Sequence, residues 1–272
     1  MTLAFKLRKV IKTVWLRLRT APSGQRIVFI LGCQRSGTTM LLRIFEHDWN
    51  VQTYREQSVL SRPDAPLRLL PPERIQPIFD RQSASLIVLK PLVESQHAAA
   101  LLDAFPKSRV VWVFRHYRNV AFSNLKKFGE RNGIDDLRPL VEEAPGNWRA
   151  EAVPSEVRAT IRAYFSEEMS PWDAAVLFWY ARNALFFSQA LAAHPRVRLC
   201  RYCDLVTTPE RHLSDLYAWL SQPFPGKQVT RLVHPGAHLE IPDFPLTPAV
   251  ESLAQEMWER LLAAYVLQEQ MQ

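Results

Sequence analysis

Cysteine is scarce in this chain. Its 272 residues hold three, Cys33, Cys200 and Cys203, too few for a disulfide framework. Cys200 and Cys203 have the spacing of half a zinc site, but no second ligand pair accompanies them, and both read as strand residues. Unpaired thiols fit a reducing compartment, so a cytoplasmic location is expected. The histidines lack metal spacing too: His97, His116 and His194 fall in helices or loops, and His212 sits beside Arg211. No metal is expected. No apolar run reaches about 18 residues, which excludes a membrane-spanning helix as the expected form. Zinc-finger, RNA-recognition and helix-turn-helix signatures are missing, so nucleic acid is not the expected partner. No internal repeat is visible.

What the chain does have is apolar bulk and positive charge. Apolar residues make up 47% of it, enough for a full core, and the formal net charge is +7 with a pI near 9.5. That balance suits an anionic ligand such as a nucleotide, or a membrane surface. The first residues stand apart. Leu3, Leu7, Val10, Ile11, Val14 and Leu18 recur at helical spacing among Lys6, Arg8, Lys9, Lys12, Arg17 and Arg19, with no acidic residue. Residues 1–22 are expected to form a basic amphipathic helix. It either lies in a membrane interface through residues 1–20 or packs on the domain with its basic face solvated. Its charges are too evenly spread for a signal peptide. Ala21-Pro-Ser-Gly24 reads as a linker to a domain over residues 25–272.

The segment 27–39, Ile-Val-Phe-Ile-Leu-Gly-Cys-Gln-Arg-Ser-Gly-Thr-Thr, carries the most chemistry. A β-branched run enters a glycine-containing loop that opens a helix, the architecture that holds a phosphate on helix N-terminal N–H groups. Gly32 and Gly37 have the spacing of the ATP-binding P-loop. Thr38, however, stands where that motif places the lysine that reaches the β/γ-phosphates. The basic residue comes earlier, at Arg35, and Ser36, Thr38 and Thr39 add hydroxyls. A second segment, 110–123, runs as an apolar strand to Arg115 and then into a helix carrying Ser123. A guanidinium and a hydroxyl so placed can clamp a second anion. A third, Arg201-Tyr202-Cys203-Asp204-Leu205, ends another strand.

Together these segments resemble the PAPS-dependent sulfotransferases (PAPS is 3′-phosphoadenosine-5′-phosphosulfate), over roughly residues 25–222. The Arg-Ser-Gly-Thr-Thr loop is similar to that of the tyrosylprotein and many bacterial carbohydrate or small-molecule enzymes. The resemblance implies that Arg35, Ser36, Gly37, Thr38 and Thr39 hold the 5′-phosphosulfate. It implies that Arg115 and Ser123 hold the 3′-phosphate, and that Tyr202 stacks on or near the adenine. The family's Tyr-Glu-Asp-Leu segment has Cys203 here in place of its glutamate. Cytosolic relatives use a histidine base two residues after a lysine; Lys90-Pro-Leu92 offers none. The resemblance points instead to Glu56, 21 residues after Arg35, as the base, with Arg35 and Lys90 stabilising the leaving oxygen. A hydroxylated acceptor, a carbohydrate or small metabolite, is the expected partner. Two other readings stay open: a P-loop nucleotide phosphotransferase, and a non-enzymatic membrane-peripheral protein.

Hydropathy patterning alternates strands (27–31, 51–54, 86–90, 109–114, 197–202) with helices (39–47, 95–105, 119–128, 172–193, 209–220, 248–267). This predicts an α/β, P-loop-like three-layer fold with a central parallel sheet flanked by helices. Residues 63–77 read as irregular. Residues 129–171 read as an acceptor or lid insertion with one helix inside it. His234 and His238 flank a Pro-Gly turn expected near the nucleotide. The aromatic run 178–180 reads as core.

Overall fold

The structure is a computed structural model that describes residues 11–16, 18, 24–233 and 240–271. Five parallel strands form one sheet in the order β2-β3-β1-β4-β5. They are β1 (Arg26–Gly32), β2 (Val51–Tyr54), β3 (Leu86–Leu89), β4 (Ser108–Phe114) and β5 (Val197–Arg201). In chain order the helices are α1 (Thr38–Glu46), α2 (Pro72–Asp80), α3 (Ala98–Ala104), α4 (Tyr117–Phe128), α5 (Asn132–Glu142), α6 (Ser155–Tyr164), α7 (Pro171–Ser188), α8 (Tyr202–Thr207), α9 (Pro209–Trp219), α10 (Lys227–Thr230) and α11 (Pro248–Gln270).

Parallel strands covered on both faces need apolar residues at every position, and β1, β3 and most of β4 are such runs. Their alternate residues feed two cores. Ile27, Phe29 and Leu31 of β1, with Trp112 and Phe114 of β4, pack against α7 and α11. Val28, Ile30, Val111 and Val113 pack against α1 and α9. Helix α7 is buried along most of its length, from Asp173 to Phe186, so it shows no polar face. Phe178 and Trp179 are core residues, as their spacing predicts.

The connection after β1 runs toward β2 and β3, whereas the connection after β4 runs toward β5. Loops leaving the C-terminal ends of these two neighbouring strands therefore diverge and open a crevice between them. In open α/β sheets this is where ligands sit.

Several elements differ from the sequence expectation. Residues 63–77 are not wholly irregular, because α2 begins at Pro72. Proline is tolerated in a first turn, and Ile75 with Phe79, one turn apart, are buried and anchor the helix. The 129–171 region holds two helices rather than one. Ile134, Leu137 and Leu140 of α5 and Val157 and Ile161 of α6 belong to the main core. The stretch 95–105 starts as a 3₁₀ helix, Leu92–His97, before α3. Strand β5 ends at Arg201, so Tyr202 and Cys203 begin α8 and Cys203 is not a strand residue. Burial pushes the thiols of Cys33 and Cys200 up to about 12. Of the N-terminal segment, residues 11–16 are described and helical. They pack on the domain, but Lys12 is buried, so the solvated face is not simply the basic one. His234 and His238 lie outside the described residues. No helix among the described residues is long and apolar enough to cross a membrane.

Candidate active site

The crevice between β1 and β4 is a cleft of about 1540 Å³. Arg35, Gly37, Thr38, Thr39, Arg115, Ser123 and Tyr202 all line it, together with Asn119, Lys126 and Lys127. Of the other expected residues, Ser36 lies buried in the loop, and Glu56 and Lys90 form a separate pair.

The loop after β1 is built by close approach. Gly32 has φ 125°, and a Cβ there would overlap the carbonyl of Val113 on β4. Its N–H donates to Ser95 Oγ at 3.1 Å, and that hydroxyl donates to Leu92 O at 2.8 Å. The 3₁₀ helix thus fixes the loop's start. Arg35 adopts φ 65°, a left-handed conformation uncommon for a residue with a side chain. Gly37 precedes α1 with φ 104°, and a Cβ there would overlap the Tyr202 ring. Helix α1 has no side-chain cap and no acidic residue in its first turn, so its N-terminal amides face the cleft without an internal anion. Among the described residues, Ser36 Oγ is fully buried without a hydrogen-bond partner. A cradle of this kind fits a phosphate-sized anion.

Arg115 is the first residue beyond β4. Its carbonyl accepts from Trp179 Nε1 at 3.0 Å, and its guanidinium lies 4.1 Å from the centroid of Tyr202. Burial lowers its pKa; Tyr202 works against that, and the nearby Arg35 charge adds to it. A partly desolvated cation of this kind gains strongly from an arriving anion. Arg35 Nε donates to Ser123 Oγ on α4 at 3.0 Å, which ties the two halves of the cleft together. Tyr202 has one ring face covered by Arg115 and one edge against Gly37.

Glu56 and Lys90 come from the neighbouring strands β2 and β3, whose register pairs Tyr54 with Leu89. Lys90 Nζ stands 2.8 Å from Glu56 Oε2; the lysine side chain is 8% exposed and the glutamate 28%. The nearby arginines are taken by other carboxylates, Arg55 by Glu46 and Arg62 by Asp64.

Four supporting residues are not marked by the sequence pattern: Trp179, Gln34, Asn119 and Arg118. Trp179 fixes the Arg115 backbone; a helical Trp in an apolar run signals core, and its N–H partner cannot be read from spacing. Gln34 donates to Asp136 Oδ2 at 3.1 Å, linking the loop to α5, where Asp136 is 2% exposed. Asn119 Nδ2 donates to Glu240 O at 2.7 Å, and Arg118 donates to Phe244 O at 2.8 Å. These two bonds hold residues 240–244 at the rim of the cleft.

No protein-family model matches the chain. No curated protein matches its sequence either. Solved structures do match. A sulfotransferase from Alicyclobacillus acidocaldarius aligns over 90% of this chain and 95% of its own, with TM-score 0.50 and 14% identity. A sulfotransferase domain from the curacin biosynthetic pathway aligns over 88% and 99%, with TM-score 0.51 and 16% identity. Sulfotransferase STF9 from Mycobacterium avium aligns over 89% and 77%, with TM-score 0.51 and 14% identity. At such identities the likeness is one of fold, and it runs over nearly the whole described domain: the chain has the sulfotransferase fold.

Proposed function

We propose that this protein is a PAPS-dependent sulfotransferase that acts on a hydroxyl of an acceptor, with a carbohydrate or small metabolite favoured. The observation that carries the reading is the double anion clamp. Two basic, hydroxyl-bearing elements leave the ends of adjacent strands, face one crevice, and are bridged by the Arg35–Ser123 bond. The 5′-phosphosulfate sits on the loop Arg35–Thr39 and the α1 amides; Ser36 Oγ and the side chains of Thr38 and Thr39 supply hydroxyls. Arg115 and Ser123 take the 3′-phosphate. Tyr202, which lines the cleft, stacks on or near the adenine.

In the transfer, the acceptor oxygen attacks sulfur and the bond from sulfur to the bridging oxygen breaks. PAP, the desulfated 3′,5′-bisphosphate, leaves. The hydroxyl proton passes to Glu56 as the new S–O bond forms. Negative charge builds on the bridging oxygen, where Arg35 and Lys90 stabilise it without a metal. Lys90 has three donors, so it can keep the Glu56 carboxylate oriented while it serves the leaving oxygen. Residues 57–85 and 129–171 supply the acceptor pocket.

The competing reading is a nucleotide phosphotransferase. It lacks its lysine, since Thr38 holds that position. Thermal melting separates the two: a ligand that binds only the folded state stabilises it by RT ln(1 + [L]/Kd). PAP raises the melting temperature well above the shift given by ATP at equal concentration, because ATP has no 3′-phosphate. Equal shifts would overturn the proposal. Turnover with labelled PAPS across a panel of hydroxylated acceptors then identifies the substrate.

A further inference from the structure

The helical turn at residues 11–16 shows the domain an unexpected side. Lys12 and Leu16, one turn apart, are its buried residues, 8% and 5% exposed. Lys12 Nζ donates to the carbonyl of Glu46 at 2.9 Å. That carbonyl ends α1, where backbone acceptors lack intrahelical partners and the helix dipole favours a cation. With this anchor made, the apolar positions turn outward. Ile11, Val14, Trp15 and Leu18 follow the i, i+3, i+4, i+7 spacing of one helix face and are 50%, 51%, 48% and 81% exposed. A helix that served the core would bury that stripe.

We infer that this stripe is a docking surface for an anionic lipid bilayer. Charge selects the occupant. Besides the buried Lys12, residues 1–20 carry Lys6, Arg8, Lys9, Arg17 and Arg19 and no acidic residue. A second copy of the chain would bring two such segments together against their mutual repulsion. An apolar protein groove would gain nothing from the basic residues. An anionic surface satisfies the stripe and the charges together, and Trp15 is of the type that settles at the headgroup boundary. The Lys12–Glu46 bond fixes the stripe's direction relative to α1, so docking would orient the whole domain. The inference does not depend on the transferase reading.

Vesicle co-sedimentation tests it with the full-length protein. Vesicles of phosphatidylcholine with about one-third phosphatidylserine should retain at least about tenfold more protein than phosphatidylcholine alone. Ile11→Glu with Val14→Glu should abolish that retention. Both positions are exposed, so the melting temperature and far-ultraviolet circular dichroism should be unchanged. Lys6→Gln, Arg8→Gln and Lys9→Gln together should weaken retention while leaving the stripe intact. Equal retention by both vesicle types, or wild-type retention by the Glu variant, overturns the inference. So does light scattering that shows a dimer which the Glu variant dissolves.

Discussion

Arg115 leaves β4 already 8% exposed and stacked on Tyr202, so much of its desolvation is met before any ligand arrives. An anion that reaches it forms a charge-assisted contact in a low-dielectric setting. Arg115→Ala should therefore weaken PAP by about 2–4 kcal/mol. Adenosine 5′-phosphosulfate, which lacks the 3′-phosphate, should lose far less; calorimetry with both ligands decides, and equal losses would make Arg115 a structural residue. Glu56 is a different case. Its partner is Lys90, and neither Arg55 nor Arg62 competes for it. Glu56→Gln keeps the shape and an oxygen acceptor for Lys90 but cannot take a proton. Turnover should fall by about 10²–10⁴-fold with the PAP dissociation constant nearly unchanged. Loss of PAP affinity would show instead that Glu56 serves to hold Lys90. In the sequence, Glu56 and Lys90 are singled out through the resemblance and not by any local pattern of their own. What spacing could not give was the partner each one has, because β2 and β3 meet through a register of residues more than thirty positions apart.

Element by element, the legible parts are those whose apolar pattern is uniform. Strands β1 and β4 were found within one residue because parallel strands buried on both faces read as unbroken apolar runs. Helix α2 is hidden in the sequence because Pro72 and Pro77 read as breakers, although only the interior one removes a backbone donor that a helix uses. Helix α4 starts two residues before its apolar pattern indicates, for a related reason. His116 caps it by accepting from Arg118 N, and histidine is not among the usual cap residues. That cap has a consequence for acid stability. Burial, Arg118 and Arg201 lower the His116 pKa from 6.5 to about 4. As pH falls, the unfolded chain takes up this proton first. The contribution is present above pH 6.5 and is lost as pH drops through the folded value. The full span would be worth roughly 3 kcal/mol, and because His116 is half-buried solvent screening reduces it to about 1–2 kcal/mol. His116→Asn retains a capping acceptor and removes the titration. The stability gap between wild type and variant should shrink between neutral pH and about pH 4.5 in urea unfolding. A constant gap would mean that His116 does not titrate in this range.

At the scale of the whole molecule, the sheet sorts the chemistry. Read across β2-β3-β1-β4-β5, the C-terminal ends deliver Glu56, Lys90, the phosphate loop with Arg35, Arg115 and Tyr202. One residue or loop comes from each strand, in the order in which the proposed reaction needs proton acceptor, leaving-group cation, 5′-anion, 3′-anion and base edge. The alternation of strands and helices made the α/β class legible, but not this order, since strand order is set by crossovers and not by local pattern. The same frame concentrates positive charge. The net charge is +7, and Lys126 and Lys127, one turn beyond Ser123 on α4, line the cleft and are exposed. Neither makes an ion pair with another described residue. Exposed charges at a cleft mouth act mainly on encounter, because solvent screens them once the ligand has docked, whereas the buried Arg115 acts on residence. Lys126→Gln with Lys127→Gln should therefore slow PAP association by about three- to tenfold at low salt, with dissociation changed less than twofold or so. Raising the ionic strength to about 0.5 M should remove most of the difference, since the Debye length then falls to a few ångströms. Stopped-flow binding at two salt concentrations measures both rates. A faster dissociation that persists at high salt would show that the lysines touch the bound nucleotide, and the anion site proposed at Arg115 and Ser123 would then extend along α4.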